Sequence, residues 1–181
     1  TPLNVAEMAV EMLDPQPGER IMDCSSGTGT FLAMTAAHIF KKKLAAMGTT
    51  PDEATNEQIR QAQNETAAWA ASNALGCDID PFLAVASRMN LLFTTGNPGR
   101  MFRIDARTFP DGDLDGIEAA RPAMPLGSMD MVLLNPWFST QDTVSDTSIL
   151  ERYDMGNNWE RDEEGGFRNT GNLSTGGVPP E

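Results

Sequence analysis

A run of seven residues, Asp23-Cys24-Ser25-Ser26-Gly27-Thr28-Gly29, places a carboxylate and two glycines between an apolar stretch and a helical one. Glycines in such a place let the backbone come close to a ligand, and open α/β sheets bind their ligands there. A dinucleotide-binding loop would need a third glycine where this chain has Leu32. The carboxylate of Asp23 suits a cationic ligand better than a pyrophosphate. A tight turn without a ligand is the alternative.

Two acidic residues follow further apolar runs. Asp78 lies in Cys77-Asp78-Ile79-Asp80-Pro81, where a carboxylate can hold the two hydroxyls of a ribose. Asp80 has a separate role available as a helix cap. Asp105 ends a third run, and it is either a strand-ending turn residue or a contact to an adenine ring.

The run Asn135-Pro136-Trp137-Phe138 can act on an aromatic amine. Exocyclic amines of bases are poor nucleophiles because their lone pair is conjugated with the ring. The side-chain oxygen of Asn135 and the carbonyl of Pro136 can accept hydrogen bonds from such a group and draw its nitrogen toward a tetrahedral geometry. A neighbouring aromatic can stack on a base flipped out of a duplex. A turn with a core aromatic is the alternative.

Each of these residues ends or follows a predicted strand. The strands are expected over residues 20–24, 75–79, 101–104 and 129–134. Helical periodicity separates them, which predicts crossover units and a parallel sheet. The acidic and amide side chains should therefore meet at one edge of that sheet.

Four helices are predicted to flank the sheet. The first covers residues 2–13, with Thr1 as a possible cap and Pro2 at its first position. The others cover residues 31–46, a stretch from a capping box at Thr50–Glu53 to residue 73, and a stretch from Asp80 to Gly96 with Val85, Met89 and Leu92 on one face. Residues 108–127 are predicted to be loop. Residues 139–181 are predicted to be a glycine-rich, partly disordered tail without a strand.

Composition limits the partners of this chain. Its net charge of −13 opposes DNA binding by the chain alone, because nucleic-acid affinity depends on basic contacts. Two cysteines and one histidine cannot build a typical zinc site, so His38 is interpreted as structural and the cysteines as free thiols. No apolar run is long enough for a membrane helix, and we expect a cytoplasmic protein.

At these motifs the sequence resembles N6-adenine DNA methyltransferases, most closely the methylation subunits of type I restriction–modification systems. The resemblance covers Thr1 to Phe138. Residues 23–32 are similar to the family's Asp-Pro-Ala-Cys-Gly-Thr-Gly-Gly-Phe-Leu loop, and Thr1-Pro2 to its Thr-Pro element. Residues 78–81, with Met89-Asn90-Leu91 after them, are similar to its second-strand element. Asn135-Pro136-Trp137-Phe138 looks like its Asn-Pro-Pro-Phe motif, with Trp137 in place of the second proline.

The resemblance implies a Rossmann-like, class I S-adenosylmethionine-dependent methyltransferase sheet with flanking helices. Residues 1–138 would be the N-terminal part of the catalytic domain. The family sheet has about seven strands and four are found here, so further strands and a target-recognition region are expected beyond Glu181. The cofactor is expected to be S-adenosylmethionine. Its expected ligands are Thr1, Pro2, Asp23, Ser25, Gly27, Thr28, Gly29, Phe31, Asp78, Ile79, Asp105 and Ala106.

The reaction implied is methyl transfer to the N6 amino group of a flipped adenine in DNA, with Asn135 to Phe138 as the catalytic residues. A separate specificity subunit is expected as partner, and a restriction subunit is left open. We expect this chain alone not to methylate DNA at a specific sequence. The alternatives are methylation of protein glutamine or RNA guanine amino groups, and a scaffold that binds the cofactor without catalysis.

Overall fold

The computed structural model of the chain describes residues 1–136, 143–176 and 178. The chain divides into two compact units, Thr1–Asn135 and Pro136–Glu181.

The first unit is built on a four-stranded parallel sheet with the order β3-β2-β1-β4. In this register Asp23 lies beside Gly76 on one side and Leu133 on the other, while Asp78 lies beside Arg103. The carboxyl ends of all four strands therefore share one edge. The strands are β1 (Ile21–Asp23), β2 (Ala74–Asp78), β3 (Arg100–Arg103) and β4 (Met131–Leu133).

Helices cover both faces of this sheet. Neighbouring residues of a strand point to opposite faces, so they pack against different helices. Ala74 of β2 is buried in a cluster with residues of the first four helices, whereas Leu75 is buried in a second cluster with the fifth. The sheet is thus the middle of three layers. The helices are α1 (Leu3–Leu13), α2 (Thr30–Ala46), α3 (Asn56–Asn73), α4 (Pro81–Thr95) and α5 (Ile117–Ala123).

The beginnings of two helices differ from the prediction. The capping box lies at Thr55, whose hydroxyl accepts from the Gln58 N–H at 3.3 Å while the Gln58 side chain accepts from the Thr55 N–H at 3.0 Å. Residues 50–53 match the same pattern, and their Thr50–Glu53 side-chain bond instead closes a turn. Pro2 is the N-cap of α1 and no side chain caps it, so the capping role predicted for Thr1 was wrong.

Helix α4 begins at the Asp80 cap and ends at Gly96, as predicted. Its buried residues are Ala84, Ser87, Leu91 and Thr95. Val85 and Met89 are 57% and 43% exposed, so the apolar face identified in the sequence does not face the core.

Two predictions of loop were wrong. Residues 108–127 contain α5, whose Ile117, Ala120 and Ala123 are buried at a spacing of three. Residues 139–181 contain the short helix α6 (Thr147–Leu150), a 3₁₀ turn and an antiparallel pair, β5 (Asn157–Arg161) with β6 (Phe167–Leu173). Trp159 and Phe167 lie on this pair, and both are exposed.

Strand β4 pairs only with β1 among the described residues. Val132 in β4 and Leu134 just after it are about half exposed.

His38 is bonded through Nε2 to Asp14 at 2.9 Å, which ties α2 to the turn after α1 and fits a structural role. Cys24 and Cys77 are free thiols, and burial raises the pKa of both. Within the described residues, no helix has the length and apolarity to cross a membrane.

Candidate active site

The loop between β1 and α2 requires glycine at position 29. Gly29 has a φ of +79° and forms the N-cap of α2, with its N–H bonded to the Ser26 carbonyl at 2.7 Å. A side-chain carbon built on it would lie 2.7 Å from Ser87 Oγ and 3.1 Å from Ser87 Cα. Glycine thus allows both the left-handed turn and the close approach of α4.

Gly27 has a different environment. Its φ is +51°, yet a side-chain carbon built on it would meet no atom within 4 Å. The exposed side of the loop is therefore open at Gly27. Ser25 precedes Gly27 by two residues. Its Oγ is buried and has no hydrogen-bond partner within the described part of the chain.

Neighbouring elements hold this loop in place. The N–H of Ser26 donates to the Cys77 carbonyl at 2.9 Å, and the N–H of Gly27 donates to Asp78 Oδ2 at 2.8 Å. From α4, Asn90 Nδ2 donates to the Thr28 carbonyl at 2.9 Å. The loop is thus held by hydrogen bonds to β2 and α4. The role of Asn90 was missed because spacing alone does not show which carbonyl an amide reaches.

Asp23 lies beneath the loop. It is 1% exposed, and its Oδ1 accepts from the Ser25 N–H at 3.2 Å. Burial raises the pKa of Asp23 to about 7; the charge of Asp78 adds to this rise, and the Ser25 bond opposes it. This carboxyl group supports the turn and does not present a charge at the surface, contrary to the role as a partner for a cationic ligand.

Asp78 has structural partners that the sequence did not reveal. Besides Gly27, it accepts from the Asp80 N–H through Oδ1 at 3.0 Å. A carboxylate has about four acceptor positions, so Asp78 can still bind hydroxyl groups. Ile79, the next residue, is 54% exposed at the same end of the strand.

Asp105 forms an ion pair that the sequence also did not reveal. Arg107 donates to both of its oxygens, from Nε at 2.9 Å and from Nη2 at 2.7 Å, and its backbone N–H donates at 3.0 Å. Burial raises the pKa of Asp105, but the hydrogen bonds and charge of Arg107 outweigh it, and the pKa is lowered overall. Ala106 is half-buried between the two.

Asn135 follows β4 at the edge that carries the loop and Asp78. Its side-chain Nδ2 donates to Thr1 Oγ1 at 2.9 Å. Among the described residues its Oδ1 has no donor and stays available as an acceptor. Pro136 belongs to the second unit. Trp137 and Phe138 lie outside the described residues.

The remaining residues predicted to bind the cofactor lie in different places. Thr28 and Ser25 lie on the loop itself. Phe31 is 6% exposed and packs in the core, so its position favours a structural role over a contact to a ligand. Pro2 accepts two N–H groups of α1 through its carbonyl. No cluster of three or more metal-ligating side chains occurs in residues 1–136, 143–176 and 178.

Comparison with known proteins identifies one matching protein family. The model of the family described as N-6 DNA Methylase matches residues 1–163. No curated protein matches the chain in sequence.

Solved structures match the chain as well. A modification subunit assigned to a type I restriction enzyme from Vibrio vulnificus YJ016 is 24% identical, with a TM-score of 0.55, over 86% of this chain and 26% of that one. The type I restriction enzyme EcoKI M protein is 18% identical, with a TM-score of 0.49, over 86% and 32% of the two chains. A predicted N6-adenine-specific DNA methylase from Listeria monocytogenes str. 4b F2365 is 15% identical, with a TM-score of 0.43, over 83% and 38%. The chain spans at most 38% of these relatives, and the first of them shows the fold.

Proposed function

This chain belongs to the N-6 DNA methylase family, and we propose that it transfers a methyl group from S-adenosylmethionine to the N6 amino group of adenine in DNA. The observation that carries the proposal is Asn135, which follows β4 at the edge where the glycine loop and Asp78 also lie, with Oδ1 available as an acceptor. In this proposal, the cofactor and the target amine are bound at the same edge of the sheet.

The residues of the loop fit the cofactor. S-adenosylmethionine supplies an electrophilic methyl group on its sulfonium. The open side of Gly27 leaves room for a ligand against the backbone. The bonds from Ser26 and Asn90 keep this surface fixed before the ligand arrives, which lowers the entropy cost of binding.

The ends of β2 and β3 fit the nucleoside part of the same ligand. Asp78 has acceptor positions left for the two ribose hydroxyls. The exposed Ile79 side chain can cover one face of a flat ring. Asp105 and Ala106 lie at the end of the neighbouring strand, and the pairing with Arg107 keeps the Asp105 carboxyl ionised and able to accept from an amino group.

Asn135 activates the acceptor in this proposal. Its Oδ1 accepts a hydrogen bond from the amino group of adenine, which weakens conjugation of the nitrogen lone pair with the ring and turns that lone pair toward the methyl group. The carbonyl of Pro136 would accept the second N–H, and an aromatic ring of Trp137 or Phe138 would stack on the flipped base. The roles of Pro136, Trp137 and Phe138 rest on the sequence motif.

Partner subunits are part of the proposal. The net charge of −13 repels phosphates, and basic contacts supply much of the affinity of proteins for DNA. We therefore infer that a specificity subunit brings the DNA to this chain, which alone does not methylate a specific sequence. A restriction subunit would be a further member of such a complex, and a DNA substrate would place it in the cytoplasm.

The variant Asn135→Ala tests the catalytic assignment. We expect it to abolish methyl transfer to unmethylated genomic DNA while S-adenosylmethionine binding, measured by calorimetry, stays within about twofold. Asn64→Ala, which removes the same side chain from the exposed surface of α3, is the matched control and should behave as the wild type. Comparable transfer by Asn135→Ala would show that another group activates the amine.

A further inference from the structure

Thr1 and Asn135 are 134 residues apart in the sequence and meet through a single hydrogen bond. Asn135 Nδ2 donates to Thr1 Oγ1 at 2.9 Å. Both residues lie in the first unit, at its two ends. The contact thus links the start of α1 with the residue that follows β4.

Buried residues anchor the two elements that carry the partners of this bond. The carbonyl of Pro2 accepts from the N–H groups of Val5 and Ala6 at 3.1 Å each, which fixes the backbone beside Thr1 to the first turn of α1. Ala6 and Val10 anchor that helix, being 0% and 2% exposed. On the other side, Leu133 is 4% exposed and lies two residues before Asn135. These contacts anchor the start of α1 and the end of β4 on the core.

The orientation of the Asn135 amide decides whether it can activate an amine. The amino group of adenine presents N–H donors, so only Oδ1 can bind it productively. If the amide turned by 180°, Nδ2 would face the target, and two donors would oppose each other. The terminal torsion of asparagine is broad and roughly two-fold, so something outside the side chain has to select one orientation.

We propose that Thr1 is a positioning residue for this reaction, because its hydroxyl accepts from Asn135 Nδ2 and thereby turns Oδ1 toward the target amine. The proposal rests on the proposed function and assigns Thr1 this role in place of the cofactor contact that the family resemblance implies. Thr1 acts through Asn135 and does not touch the reacting atoms. Its loss should lower the rate of transfer and leave cofactor binding intact.

Kinetics of two substitutions test this role. Thr1→Val keeps the shape of the side chain and removes the hydroxyl, so kcat should fall roughly threefold to tenfold, the effect of one neutral hydrogen bond. The dissociation constant for S-adenosylmethionine should not change. Thr1→Ser restores the acceptor and should recover most of kcat. Thr50→Val makes the same chemical change in an exposed turn and serves as the control.

Side-chain amide NMR supplies a second measurement, independent of turnover. The Asn135 Nδ2 hydrogens, assigned by comparison with Asn135→Asp, should exchange with solvent faster in Thr1→Val than in the wild type and in Thr1→Ser. Unchanged exchange together with unchanged kcat in Thr1→Val would overturn the proposal, and so would weaker cofactor binding with unchanged kcat. If the wild type, assayed with the subunits that copurify with it, transfers no methyl group to DNA, the proposed function fails and this inference with it. An active wild type with an equally active Thr1→Val overturns this inference alone.

Discussion

Replacing Asp23 by asparagine should change how the stability of this protein depends on pH. The carboxyl group lies under the glycine loop, 1% exposed, and burial raises its pKa to about 7. Asparagine has nearly the same shape and can still accept the Ser25 N–H through its oxygen. It cannot ionise, so the substitution isolates the cost of a buried charge.

The magnitude follows from the two pKa values. A folded pKa of about 7 against an ordinary value of 3.8 makes ionised Asp23 about 4 kcal/mol less favourable in the folded than in the unfolded chain, since a tenfold change in proton affinity corresponds to about 1.4 kcal/mol. Because the folded pKa is raised, the contribution of Asp23 to stability is fully present below about pH 4 and is lost as the pH rises through about 7.

Urea denaturation at several pH values between 4 and 8 measures this effect. The free energy of unfolding of Asp23→Asn minus that of the wild type should rise by about 4 kcal/mol over this range, mostly between pH 4 and 7. Other titrating groups cancel in the difference. Asp52→Asn removes one carboxylate from an exposed turn and controls for net charge. A difference that stays constant from pH 4 to 8 would refute the argument from burial.

Two further pairs of variants test the loop and the nucleoside site. Gly27→Ala and Gly29→Ala both place alanine at positive φ, which costs about 1–2 kcal/mol. Only Gly29→Ala brings a carbon against Ser87, so it should lower the free energy of unfolding clearly more than Gly27→Ala. Equal losses in the two variants would contradict the packing of α4 on the loop. Asp78→Ala should weaken S-adenosylmethionine binding about tenfold or more in calorimetry, through loss of a charged acceptor. Asp80→Ala should lower stability through loss of the α4 cap and leave that affinity unchanged, and equal affinity in both variants would remove Asp78 from the site.

The strands and the edge they share could be predicted from the sequence. Parallel strands joined by helices end at the same edge, so locating Asp23, Asp78 and Asn135 after apolar runs was enough to bring them together. What each carboxylate does there could not be predicted, because it depends on neighbours distant in the sequence. Asp78 bonds Gly27, 51 residues away, and no local pattern signals that contact.

The missed elements have short or ambiguous local signals. Helix α5 has seven residues and includes Pro122, so its three buried residues hardly stand out from a segment rich in proline and glycine. The pair β5 and β6 is exposed on most positions and lacks the apolar alternation of a half-buried strand. Two Thr-x-x-Glu or Thr-x-x-Gln patterns, at residues 50 and 55, can each start a helix, and in the structure α3 begins at the second.

The most direct test of the proposed reaction is the chemical identity of the methylated product. The protein, with the subunits that copurify with it, is incubated with S-adenosylmethionine carrying a deuterated methyl group and with unmethylated genomic DNA, ribosomal RNA or a protein acceptor. The acceptors are then hydrolysed and analysed by mass spectrometry. We predict labelled N6-methyladenine in the DNA, and none when Asn135→Ala replaces the wild type. Label in guanine of the RNA or in glutamine of the protein, with none in the adenine of the DNA, would contradict the proposed function.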